Sequence, residues 1–207
     1  SLAFGTGTRS ARAQADDAAR ASAIQLFDLA AALRKEGKFA EACPKFAESQ
    51  RLDPQLGTLI HLADCYEQNG QLASAYAAFR DAAELAQRKH DSRLTMIQSR
   101  SAALKPRLSY LTIDVAPAAR GPGLAVTRDG VSVNEVVFGT PMPIDRGEHR
   151  IAAQMPGKKA WSTSVNVTSE ASTARVEVPV LEAEVQAPPE PSAPPPAPAP
   201  VAVAPPE

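Results

Sequence analysis

Residues 45–54 read KFAESQRLDP and residues 79–88 read FRDAAELAQR, placing Phe46 and Phe79 in one register 33 positions apart. Around these two stretches apolar residues return at the 3–4 residue spacing that buries one face of a helix. They run Leu26, Leu29, Ala30, Leu33; then Phe39, Ala42, Phe46; then Leu59, Leu62, Ala63, Tyr66; then Leu72, Ala75, Phe79, Ala82. Four helices are expected. Gly37 and Gly70 fall at the turn inside each pair, and Asp53-Pro54 separates the pairs as a cap followed by a residue suited to a helix start. Overlaying the halves matches Leu33 with Tyr66, Gly37 with Gly70, Ala42 with Ala75 and Phe46 with Phe79. A further apolar face, Leu94, Ile97 and Leu104, predicts a capping helix over residues 91–104 that Pro106 stops.

The two copies resemble the tetratricopeptide repeat, whose pattern is W-x2-L-G-x2-Y, then alanine, phenylalanine, alanine and proline. The first copy carries Leu26, Leu29, Ala30, Leu33, Ala42, Phe46, Ser49 and Pro54; the second carries Leu59, Leu62, Ala63, Tyr66, Ala75, Phe79 and Ala82. It departs from the pattern in lacking the tryptophan, in Ser49 for alanine and in Gln87 for the second proline. The resemblance implies stacked helix pairs with a binding groove lined by the first helix of each pair. Matched positions place Phe27, Ala31, Arg34 and Lys35 there from the first copy, and Ile60, His61, Asp64, Glu67 and Gln68 from the second. The alternative is that these are solvated faces, as charged surfaces usually are. The lysine and asparagine clamp that some members use for a C-terminal carboxylate is unmatched, since Phe27 and Ala31 hold its first two places.

After Pro106 the rhythm changes to alternation, the signature of strands with one buried face. Leu111, Ile113 and Val115 show it, as do Ile151, Ala153 and Met155; Trp161, Val165 and Val167; and Val176, Val178 and Val180. Turn signals at Gly121-Pro122-Gly123, Asp129-Gly130, Arg146-Gly147 and Pro156-Gly157 divide about seven short strands, suiting a small antiparallel sandwich. Asp129-Gly130, Thr140-Pro141, Gly147 and Pro156-Gly157 also resemble the fixed points of PEGA-type, carboxypeptidase-regulatory-like modules, although the P-E-G-A tetrapeptide itself is absent. The expected fold is therefore α+β and multidomain: a helical repeat domain over 16–106, a sandwich over 107–182 and a disordered proline-rich linker over 183–207.

The chain opens at Ser1, and Ala13-Gln14-Ala15 before Asp16 fits an A-x-A cleavage site, so residues 1–15 read as the remnant of an export signal or as a disordered start. The stretch PPEPSAPPPAPAPVAVAPP at 188–206 fixes its backbone and lacks donors, which suits an extended tether, with a ligand for proline-recognition domains as the sharper reading. The combination is similar to bacterial envelope proteins whose tail leads to a membrane helix. It implies export to the periplasm or envelope, with a membrane anchor beyond Glu207.

Little in the sequence points to catalysis. The formal net charge of −1, with no long basic run, removes the electrostatic source of nucleic-acid binding. GTGTRS at 5–10 has neither the lysine nor the preceding strand of a phosphate loop, and no G-x-S-x-G frames a serine nucleophile. His61, Asp64 and Cys65 share a helix but lack paired zinc spacing, so no metal, cofactor or catalytic residue is assigned. Cys43 and Cys65 fall at similar heights on the two helices flanking residues 53–57, which permits a disulfide in an exported chain; two buried core thiols are the alternative. The expected function is a non-catalytic scaffold that binds another protein or peptide through the groove. Cell-wall glycan binding through the β module, on Trp161 with Tyr110 and Phe138, is the alternative.

Overall fold

The computed structural model describes residues 7–184, with side chains from residue 13; the proline-rich stretch lies outside this range. It is a mixed α+β chain of five α-helices followed by two small sheets.

The helices are α1 (Gly7–Lys35), α2 (Phe39–Leu52), α3 (Leu56–Gln68), α4 (Leu72–Arg88) and α5 (Leu94–Leu104). The alanine-rich start continues α1 back to Gly7, so residues 7–15, expected as a signal remnant or unstructured start, are helical. Alanine loses the least on entering a helix, which accounts for the extension. Residues 1–6 of that expectation lie outside the described range.

α1 ends with Gly37 N–H donating to Arg34 O and Lys38 N–H to Leu33 O; α3 repeats this with Gly70 to Glu67 and Gln71 to Tyr66. Both are Schellman motifs, and both glycines sit at φ +75°, which only glycine adopts without strain. α4 closes the same way, from His90 to Gln87 and from Asp91 to Ala86, but here His90 occupies the left-handed region at φ 51°.

The helical core is one cluster containing Phe46, Phe79, Ile97 and Leu104, with the alanines Ala30, Ala42, Ala63, Ala75 and Ala82 where helices approach closely. Of the periodic residues, Leu29 departs from expectation: it is 55% exposed, while Ala23 one turn and a half earlier is buried. Ser49, which interrupts the small-residue pattern, is buried because its hydroxyl donates to Ala23 O across α1 and α2 at 2.8 Å. Cys43 on α2 and Cys65 on α3 form a disulfide with a Cα separation of 5.5 Å. It joins the two helix pairs.

A 3-10 turn at Lys105–Arg107 leads into seven strands: β1 (Ser109–Val115), β2 (Ala125–Arg128), β3 (Val131–Ser132), β4 (Met142–Ile144), β5 (Gly147–Gln154), β6 (Trp161–Val167) and β7 (Thr173–Val178). They order as β4-β1-β7 and β3-β2-β5-β6. Residues of both sheets, among them Leu111, Ile113, Val176, Val126, Ile151 and Val167, share one core. The expectation of a wholly antiparallel arrangement is corrected: β1 and β7 run parallel, Ile113 opposite Val176. Alternation reports which residues face the core and carries nothing about the direction of strands distant in sequence. The Asp129-Gly130 turn between β2 and β3 has φ of 53° and 79°, the positive pair that a two-residue I′ hairpin demands. Val180, expected on the last strand, lies beyond β7 and is 60% exposed.

The halves are pinned together at two places. Asp145, just after β4, accepts from the Ser74 amide at 3.0 Å and from the Ser74 hydroxyl at 2.5 Å. Arg107 donates to Glu67 at 3.1 Å on one side and to Glu170 at 2.9 and 3.0 Å on the other. Leu108 and Tyr110 complete the seam by packing against the helical core.

Candidate functional site

The helical period places residues of α1 and α3 side by side, and the structure gathers part of the expected groove around a cluster of rings. Phe27 of α1 stands edge-on to Phe46 at 5.4 Å and to His61 of α3 at 5.3 Å. His61 in turn stacks on Phe46, with centroids 5.9 Å apart and planes 16° from parallel. Phe27 and His61 line a pocket of about 360 Å³ together with Ile24, Gly57 and the buried Ser49 and Thr58. Ile24 is 55% exposed, an apolar side chain left at the mouth.

The pocket has a local cause. Ile24 and Gly57 occupy equivalent positions of the 33-residue period, and at Gly57 the repeat has no side chain to fill the space. A Cβ built there meets nothing within 4 Å. The α3 N-terminus opens onto the same pocket: its N-cap residue, Gln55, gives no side-chain capping bond.

Electrostatically the groove divides. Burial holds the His61 imidazole below its ordinary pKa, the nearby Arg34 charge adds to the effect, and Asp64 opposes both. Its Nδ1 is buried without a hydrogen-bond partner. The neutral ring is the favoured form at pH 7.

Farther along the groove, Arg100 of α5 brings its Nη2 within 2.8 Å of both Asp64 and Glu67. Its N–H has hydrogen-bond geometry only toward Glu67, leaving Asp64 held by charge. The guanidinium also lies 5.1 Å from the centroid of the Phe79 ring, a cation–π contact. Asp64 and Glu67, expected as charges facing a partner, are thus occupied within the molecule, and Glu67 additionally holds Arg107. Arg100 was legible in principle, since it stands one period after Glu67 just as Arg34 stands one before.

The remaining expected residues separate by exposure. Ala31 and Ile60 are half-buried against the core, Arg34 is half-buried, and Lys35 and Gln68 are exposed at the helix ends. Ile24, Thr58 and Gly57 join the site without having been singled out by pattern. Of the aromatics considered for the β module, Tyr110 packs against the helices, whereas Trp161 and Phe138 pack at the edge of the β core and line a separate cavity.

Among the described residues no group of three or more histidine, cysteine, aspartate or glutamate side chains is arranged to hold a metal ion. Among the same residues no helix is long and apolar enough to cross a membrane. No protein-family model and no curated protein matches this sequence.

Proposed function

We propose that the helical half is a tetratricopeptide-type repeat and the β half a PEGA-like sandwich, together forming a non-catalytic scaffold of a bacterial cell envelope. Its groove takes a segment of a partner protein, and the proline-rich stretch over 183–207 serves as a tether. The observation that carries the reading is the pocket between α1 and α3, where Phe27 and His61 from matched groove positions converge beneath the exposed Ile24. An apolar side chain of a bound segment fits against the Ala23, Ile24 and Phe27 wall of this pocket, while Ser49, Asp53, Gln55 and Thr58 on the other side offer polar partners to the segment's backbone.

Three further features support the reading. The two turns at Gly37 and Gly70 are the same motif one period apart, as stacked repeats require. α5 covers the face of the second pair that a third copy would otherwise bury. The disulfide between the pairs suits an oxidising compartment.

The test is site-specific photo-crosslinking in cells, with p-benzoylphenylalanine at position 24 and, as a control, at Asp81 on the exposed side of α4. A discrete adduct at position 24 and none at position 81 is the expected result. Equal labelling at both, or none at position 24, overturns the groove reading.

A further inference from the structure

At the end of the β half where β1 and β7 finish and β6 begins, a cavity of about 690 Å³ opens, within the range of small-ligand sites. Its walls combine two aromatic rings, Trp161 and Phe138, with four charged side chains, Asp114, Glu177, Arg120 and Arg175. We infer that this cavity binds a neutral oligosaccharide, with Trp161 as the stacking platform and Asp114 and Arg175 as the groups that hold ring hydroxyls. The inference concerns the β half alone and is independent of the helical groove.

The polar groups show why hydroxyls fit. Asp114 and Glu177 are register partners on adjacent parallel strands, so two carboxylates stand side by side, an arrangement that costs stability unless donors separate them. Arg175 approaches Asp114 Oδ2 to 3.2 Å, yet that oxygen is buried and receives no hydrogen bond. Arg175 covers that oxygen, while the Asp114 side chain keeps 28% of its surface exposed, so the other carboxylate oxygen, Oδ1, beside Gly139 at the cavity wall, is the acceptor that an entering hydroxyl can reach. Arg120 spends its Nε on the Val115 carbonyl at 3.0 Å and rests over the Phe138 ring at 5.7 Å. Its terminal nitrogens, like the Trp161 indole N–H, have no hydrogen-bond partner among the described residues.

A pyranose presents an apolar C–H face and a rim of hydroxyls that both donate and accept. An indole beside planar carboxylate and guanidinium groups matches that division. The charges argue for a neutral sugar: two carboxylates and two guanidiniums cancel, so the site offers no net field to an anionic chain. The competing occupant is a proline-rich peptide, which aromatic grooves also take. Its prolines have no N–H to give the Asp114 carboxylate, so it brings fewer donors to the cavity than a rim of hydroxyls does.

Trp161 is the sole tryptophan of the chain, so its emission reports on this cavity directly. The intact protein is titrated with chitotetraose and cellotetraose, with tetragalacturonate as the anionic comparison and a synthetic PPEPSAPPPAPAPVAVAPP peptide as the other arm. A saturable change with at least one neutral sugar is expected, and calorimetry should show it weakened about tenfold or more in Asp114→Asn and in Arg175→Gln. Arg175 is largely exposed, so the second variant keeps the test valid if the first unfolds. No saturable response to either neutral sugar, a response confined to tetragalacturonate or the peptide, or unchanged affinity in the folded variants overturns the inference.

Discussion

Removing the Asp145 carboxylate should destabilise a helix that is distant from it in sequence. α4 starts at Leu72 with Gln71 as its N-cap, and Gln71 gives no side-chain capping bond. The third helical residue, Ser74, instead donates its amide and its hydroxyl to the two oxygens of Asp145, 71 positions later. An ordinary cap is worth about 1 kcal/mol. A second bond to a charged acceptor contributes roughly 1.5 kcal/mol, and the two are not fully additive because they share one carboxylate. Asp145→Ala should therefore lower unfolding stability by about 2 kcal/mol. Asp145→Asn, which keeps an acceptor for the amide, should lose about half of that.

Urea denaturation with an unchanged m-value is the assay. Ser74→Ala keeps the amide bond and removes the hydroxyl, so the double-mutant cycle between the two positions should show a coupling of roughly 1 kcal/mol. Hydrogen exchange gives a local reading, since the Ser74 amide should lose protection before the rest of α4. Tyr66 gives another: burial first and the Asp145 charge second hold its phenol above the ordinary pKa, so it should ionise at lower pH in Asp145→Ala. A loss below about 0.5 kcal/mol together with full additivity would refute the long-range cap.

Three other outcomes follow from single features. Replacing Cys43 and Cys65 by alanine together should cost on the order of 3 kcal/mol for a bridge spanning 22 positions, read as a lower urea midpoint; an unchanged midpoint contradicts a stabilising cross-link. His90→Gly should raise stability by about 1 kcal/mol in the same assay, because the left-handed position that ends α4 strains any residue with a Cβ, and a loss would show that the His90 side chain contributes more than this strain costs. His61 should titrate by NMR below the ordinary value of about 6.5, and Arg34→Gln should move its midpoint upward. Because the folded pKa lies below the unfolded one, the stability it contributes is complete above that ordinary value and is lost as pH falls toward the depressed midpoint; a midpoint at or above the ordinary value refutes the burial argument.

The local parts of this fold are written in local patterns, and the joints between them are not. The five helices, the turns at Gly37 and Gly70 and the Asp129-Gly130 hairpin follow from periodicity and from positions that demand positive φ. The groove was legible as a face because the 33-residue period superposes Phe27 on Ile60 and Arg34 on Glu67. What escaped is which members of that face are free. Asp64 and Glu67 lie where the period puts them, but Arg100 takes both, and that competition depends on α5 packing against α4, where Arg100 also meets the Phe79 ring. The parallel pairing of β1 with β7 and the Arg107–Glu170 contact likewise join positions separated by most of the β half. The cap of α4 belongs with these joints. Lys38, Gln55, Gln71 and Arg93 stand at the N-caps of α2 to α5 and none gives a side-chain capping bond, so the absence in the sequence is the same at all four and first-turn donors that no side chain meets are left to water. Only the packing of the β half against α4 sets that helix apart, because it brings Asp145 to the amide and hydroxyl of Ser74.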